Sequence, residues 1–191
     1  MGLPTFNNWL YTDAQLLGLL RFAFHDVIGL DQEPCFLSSG ILNAWICVVY
    51  RRYNDVPFHN FKHAFTVAQM MYSIIKLADL AACFNQLDLF VMLFSAVCHD
   101  LDHPGFNNNY QVNILTFLAC LLFQLVSFAF NQQMNARTTL GLRYNDISVL
   151  ENHHCAVAFD LLHSPLTNLL ARMPTESQRW VRQAAVRWVS K

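Results

Sequence analysis

Apolar residues recur along most of this chain at three- and four-residue steps. Leu16, Leu19, Leu20, Ala23, Phe24 and Val27 do so first, which predicts an amphipathic helix with one face turned to a core. Ser38 is a suitable cap for a second helix running to about Arg52. Asp55-Val56-Pro57 predicts a turn. Ala64, Val67, Ala68, Met71, Ile74 and Ile75 then mark a third helix. A fourth starts at about Gln86 and ends in His99-Asp100-Leu101-Asp102-His103. His103-Pro104-Gly105 breaks the helical pattern, and Asn107, Asn108 and Asn109 continue the loop. Ser148-Val149-Leu150-Glu151 has the form of a capping box, in which two side chains satisfy free N–H groups at a helix start. It places Glu151-Asn152-His153-His154 in the first turns of a helix. Thr175-Glu176-Ser177-Gln178 repeats that form ahead of a last helix of about four turns. Neither strand alternation nor an internal repeat stands out. The expected fold class is all-α.

One segment departs from this amphipathic pattern. Ile114 to Phe130 is seventeen residues long, and only Thr116, Gln124 and Ser127 in it are polar. No formal charge lies between Asp102 and Arg137. A membrane-spanning helix needs about 20 apolar residues and flanking Lys or Arg to orient it, so the stretch is expected to be a buried or displaced apolar segment instead. Composition sharpens the question. Of 191 residues, 54% are apolar and 13% charged, which is richly apolar for a soluble domain. Either a membrane segment or a core completed partly elsewhere would account for it. A net charge of −1 provides no electrostatic footprint for nucleic acid. Cys35, Cys47, Cys83, Cys98, Cys120 and Cys155 form no Cys-x-x-Cys pair, which predicts reduced thiols in a cytoplasmic protein and no zinc knuckle. Met1 to Phe6 lacks the basic and apolar regions of a signal peptide. Phe6 stands where N-myristoylation requires Ser or Thr.

The candidate chemistry lies in the histidines. Six of the eight fall into three clusters: His59 with His63, His99-Asp100-Leu101-Asp102-His103, and Glu151-Asn152-His153-His154. Residues four apart share a helix face, so His59 and His63 pair if His59 is inside the first helical turn. His99 and His103 repeat the spacing, with Asp100 beside them. Imidazole and carboxylate together suit zinc, manganese or iron. A carboxylate can also bridge to a second, harder ion such as Mg²⁺. Two neighbouring ions make a phosphoryl-transfer centre. Chance proximity is a poor alternative, because clustered histidines repel when protonated and need partners when buried. His25 and His163 stand alone and are expected to be hydrogen-bonded core residues. Asp102 is expected either to orient a ligand histidine or to cap the loop.

These clusters carry a resemblance. Pro57-Phe58-His59-Asn60-Phe61-Lys62-His63 with Val67-Ala68-Gln69-Met70-Met71-Tyr72-Ser73 is similar to the class I 3′,5′-cyclic-nucleotide phosphodiesterases. So are Cys98-His99-Asp100-Leu101-Asp102-His103-Pro104-Gly105 and the run from Arg143 to Phe159. The wording is nearest to the family's high-affinity cGMP-specific type-9 branch. The resemblance implies a helical HD-type metal-dependent phosphohydrolase that opens the 3′ phosphoester of a cyclic nucleotide, cGMP or cAMP, to the 5′-monophosphate. It implies His59 as general acid and His63, His99 and Asp100 as metal ligands. His103, Glu151 and His154 would surround the ligands and the acid, and Asn108 would sit in the nucleotide pocket. The implied cofactors are Zn²⁺ and Mg²⁺, with Mn²⁺ as a substitute, and a homodimer is compatible with the family.

Two departures from the family pattern stand out. Tyr110-Gln111-Val112-Asn113 is separated from Ala136-Arg137-Thr138 by about twenty extra residues. Residues 1–191 therefore read as part of a catalytic domain interrupted by an apolar insert at about 114–134. The family pattern also continues past the position of Lys191, where its last aspartate ligand and its base-binding glutamine and aromatic residue would lie. Three functions follow: a cyclic-nucleotide phosphodiesterase, a weak or inactive fragment that acts by binding, and a membrane-attached protein using the insert.

Overall fold

The computed structural model describes residues 1–30, 35–108, 111 and 138–189. Among these, seven α-helices form: α1 (Asp13–Ile28), α2 (Ser39–Arg52), α3 (Phe61–Leu77), α4 (Gln86–Cys98), α5 (Thr139–Arg143), α6 (Val149–Asp160) and α7 (Thr175–Val189). Short 3-10 turns occur at Asn8–Leu10 and Leu80–Ala82. No strand occurs among the described residues, and the all-α expectation holds.

Local signals explain where several helices start and stop. Thr12 and Gln15 form a reciprocal capping box on α1, and Gly29, at φ 66°, closes it with an N–H bond of 2.9 Å to His25 O. Asn85 and Asp88 cap α4 in the same way. Other expected caps are replaced. Ser38 occupies the N-cap position of α2 but its side chain makes no capping bond. Ser148, at φ 42°, likewise makes none at α6. At α7, Thr175 is already helical; Pro174 O accepts from the Gln178 N–H at 3.0 Å, and Gln178 Nε2 donates to Met173 O at 2.9 Å.

The core is built around α4, in which every residue from Leu89 to Cys98 is buried. A helix apolar on all sides has to be covered on all sides. Here α1, α3 and α7 pack on it. Trp45 of α2 stacks on Phe94 with centroids 5.5 Å apart, and Phe24 of α1 meets Trp45 edge-on at 5.8 Å. Burying each such side chain contributes about 1.5–3 kcal/mol. This packing holds the C-terminal end of α4, where the His-Asp cluster begins, against α3.

His25 is half-buried and its Nε2 lies 3.0 Å from Ser39 Oγ, as expected of a bonded, inward histidine. His163 is a correction: its side chain is 82% exposed, because it lies in the turn after α6, off the packed face. Cys35, Cys47, Cys83 and Cys98 are free thiols. No helix among the described residues is long and apolar enough to cross a membrane. Asn109, Cys120, the Ile114–Phe130 run and the expected insert at 114–134 lie outside the described residues.

Candidate metal centre

The six clustered histidines come from three elements. Asn60 caps α3, its Oδ1 accepting from Lys62 N at 3.0 Å and His63 N at 3.2 Å. His63 is therefore in the first turn, while His59 precedes the cap and lies outside the helix. His99 is the C-cap of α4. The chain then turns tightly, with His103 N donating to Asp100 O at 3.1 Å and Asp102 at φ 59°. Neither i,i+4 pair therefore shares a helix face, which corrects that expectation. The His59 and His63 rings still meet edge-on at 5.6 Å, and closer pairs form across the segments. His63 and His99 bring their Nε2 atoms to 3.1 Å, and the His59 ring stacks on His103 at 3.9 Å. His103 in turn stacks on His154 of α6 at 5.5 Å.

Asp100 is the hinge of the centre. Its Oδ2 lies 3.1 Å from His63 Nε2 and 3.0 Å from His99 Nε2, and its Oδ1 lies 3.8 Å from His154 Nε2. Two triads result, His63–His99–Asp100 and Asp100–His103–His154, each with one donor atom per residue within 4.8 Å of the others. They share the two-oxygen carboxylate, the arrangement by which one residue can touch two ions.

Backbone bonds assign the ring nitrogens. His99 Nδ1 lies 2.9 Å from Ala96 O and His154 Nδ1 lies 2.7 Å from Leu101 O. A carbonyl only accepts, so both rings carry the Nδ1 proton and turn Nε2 toward Asp100, the atom a ligand would use once deprotonated. His103 is the reverse. Its Nδ1 accepts from Gly105 N–H at 3.0 Å, so its neutral ring carries the proton at Nε2 and acts as a donor. The donor set thus fits divalent ions best at His63, His99 and Asp100, with His154 Nε2 available at the second triad.

Burial raises the cost of a negative Asp100, but its bond to His99 and the facing histidines hold its pKa down to about 2. His99 is disfavoured as a cation by burial, yet its bond to Asp100 prevails and its pKa is raised. Burial and the neighbouring His59 lower His103 to about 4. Burial also lowers His63 and His154. An anionic carboxylate among mainly neutral imidazoles is the state that attracts a cation.

Residues around the triads lock them. Asn108 donates to both oxygens of Glu151 at 3.0 Å and accepts from Leu150 N–H at 2.9 Å. It therefore ties Asn108 and Glu151, both singled out in the sequence, to the start of α6. Asp102 accepts from His153 Nε2 at 2.9 Å and from Asn54 Nδ2 at 3.1 Å, which makes it a partner of a histidine outside the two triads. Asn54 was not foreseen. It lies beyond α2, 48 residues from Asp102, and no spacing links them.

A helical bundle that presents two His/Asp triads on one shared carboxylate defines a helical protein with a candidate divalent-metal site. The sequence profile of the 3′,5′-cyclic nucleotide phosphodiesterase family matches residues 58–126 and 116–191, and this chain belongs to that family. The mouse (Mus musculus) high affinity cGMP-specific 3′,5′-cyclic phosphodiesterase 9A is 42% identical over 96% of this chain and 30% of its own length. The Drosophila melanogaster protein of the same name is 38% identical over 99% of this chain and 11% of its own. The crystal structure of the phosphodiesterase domain of the RhoPDE fusion protein from the choanoflagellate Salpingoeca rosetta superposes with a TM-score of 0.80 at 26% identity, covering 98% of this chain and 51% of that one. This chain thus spans about a third of the mouse relative and half of the solved domain.

Proposed function

We propose that the chain serves the metal-dependent hydrolysis of a 3′,5′-cyclic nucleotide, cGMP favoured, to its 5′-monophosphate. The observation that carries this reading is the pair of triads sharing Asp100. His63, His99 and Asp100 would hold a zinc ion, and Asp100 would reach a second ion, Mg²⁺ or Mn²⁺. Ions bound there supply Lewis-acid charge for a phosphate and lower the pKa of water. The protein supplies the proton and the orientation. The oxygen of water bonds to phosphorus in line with the 3′ P–O bond, which breaks; His59 donates a proton to the departing 3′ oxygen, and the proton released by water restores His59. His59 sits on the flank of the first triad, with its ring 5.6 Å from His63. His103, neutral down to about pH 4, stacks beneath it. Glu151, Asn108 and His154 hold the far wall. Nucleotide preference rests on the named relatives alone, which are called cGMP-specific. The family match falls in two stretches meeting near residues 116–126, which supports an interruption of one catalytic domain there. The free thiols support a cytoplasmic setting.

A second reading, a weak or inactive binding fragment, is favoured by the share of the solved domain that this chain covers, 51%. Hydrolysis of cGMP by purified protein with Zn²⁺ and Mg²⁺ separates the two. Turnover that His59→Ala reduces by about 10²–10⁴-fold, the usual contribution of a general acid, supports the first. Metal uptake without turnover supports the second.

A further inference from the structure

The turn from Leu101 to His103 connects the two triads, and it is held in an unusual way. Asp102 has φ 59°, a left-handed conformation that side-chain-bearing residues adopt only at a cost. Asp and Asn tolerate it best, and only when surrounding bonds enforce it. Those bonds come from three directions. Asp102 N–H donates to Arg52 O at the end of α2, at 3.1 Å. Asp102 Oδ1 accepts from Asn54 Nδ2, and the same amide donates to His103 O at 3.0 Å. Asp102 Oδ2 accepts from His153 Nε2 at 2.9 Å. The His153 ring faces Tyr144, whose hydroxyl lies 3.4 Å from Nδ1. His153 is buried in α6 immediately before His154, and its side chain is only 8% exposed.

Resting on the metal-centre reading above, we propose that Asp102 and His153 are positioning residues for that centre, with Asn54 as their anchor on α2. Asp102 lies two residues after Asp100 and one before His103. Fixing its carboxylate to α6 on one side and to Asn54 on the other sets where the Asp100 oxygens and the His103 ring stand. The same His153 contact pins α6, and with it the adjacent His154. One pair, a buried His153 and a half-buried Asp102, thus fixes residues of both triads relative to each other without touching an ion. Hydrogen-bonded partners of this kind typically change metal affinity by about 10–100-fold when removed.

Three variants test this by Zn²⁺ and Mn²⁺ affinity, with thermal unfolding of the metal-free proteins as control. Asp102→Gly keeps the left-handed backbone, which glycine adopts freely, and removes the side chain. It is expected to weaken metal binding by about 10–100-fold, while the metal-free protein still unfolds in one cooperative transition at a somewhat lower midpoint. Asp102→Asn retains an acceptor for Asn54 and can meet His153 as the opposite tautomer, so it should bind within a few-fold of the parent. Asn54→Ala, at an exposed position that threatens the fold least, should weaken binding in the same direction and by less. Parent-like affinity in both Asp102→Gly and Asn54→Ala overturns the positioning role while leaving the metal centre intact. A parent protein that takes up neither ion overturns both.

Discussion

His103 and His99 are four residues apart and titrate in opposite directions. The His103 ring accepts a backbone N–H and is buried against His59, so its pKa falls to about 4. The unfolded chain, with a histidine near 6.5, takes up this proton first. Stability from His103 is therefore complete above about pH 6.5 and is lost as the pH falls through about 4. His63 and His154 act in the same sense. Asp100, at about 2, contributes stability above the ordinary carboxylate range and loses it only in stronger acid. His99, raised by Asp100, contributes stability below its ordinary pKa that fades as the pH rises through the folded value. Calorimetry of EDTA-treated protein should show the melting temperature falling from pH 7 to 4, and His103→Asn should flatten that slope. The shared carboxylate gives a second expectation. Asp100→Ala removes a donor from both triads and should abolish uptake of both ions, whereas His63→Ala touches one triad and should spare the other. Metal stoichiometry by atomic emission distinguishes these outcomes.

Among the elements, α6 shows how a distant residue can do a local residue's work. The Ser148–Glu151 pattern has the spacing of a capping box, but Ser148 is left-handed and its hydroxyl makes no capping bond. Asn108 caps the helix from 42 residues away and holds Glu151 as well. Asn108→Ala should destabilise the protein by about 1 kcal/mol, the usual loss for a cap. Asn108→Asp keeps an acceptor for Leu150 N–H but sets a carboxylate against Glu151, so it should unfold at lower denaturant than Asn108→Ala. Chemical denaturation ranks the two. The helices themselves were legible from period and punctuation. Thr12, Asn85 and Gly29, which the period alone does not single out, mark ends in the structure through bonds that close within four residues. Which side chain caps α6 was not legible, since loop and helix meet only after α4 has packed.

At the level of the whole molecule, α4 connects stability to the site. Its apolar residues are buried against α1, α3 and α7, and its last turn delivers His99 and Asp100. Phe94, fully buried between Trp45 and Phe159, is a point of leverage. Phe94→Ala should lower stability by about 3–5 kcal/mol, readable as a shift of the urea midpoint. The all-helical class, the helix positions and the three histidine clusters follow from residue type and spacing, because amphipathic period acts over a few residues; the choice of ligands among them came from the family resemblance. The partnerships of those ligands do not. Helical pitch pairs His59 with His63 and His99 with His103, yet the folded chain sets His63 against His99 and His59 against His103. Chemistry confined to single side chains was already present in the linear order. The metal centre needed α3, the end of α4 and α6 to be brought within a few ångströms, and burial of α4 on all sides is what brings them there.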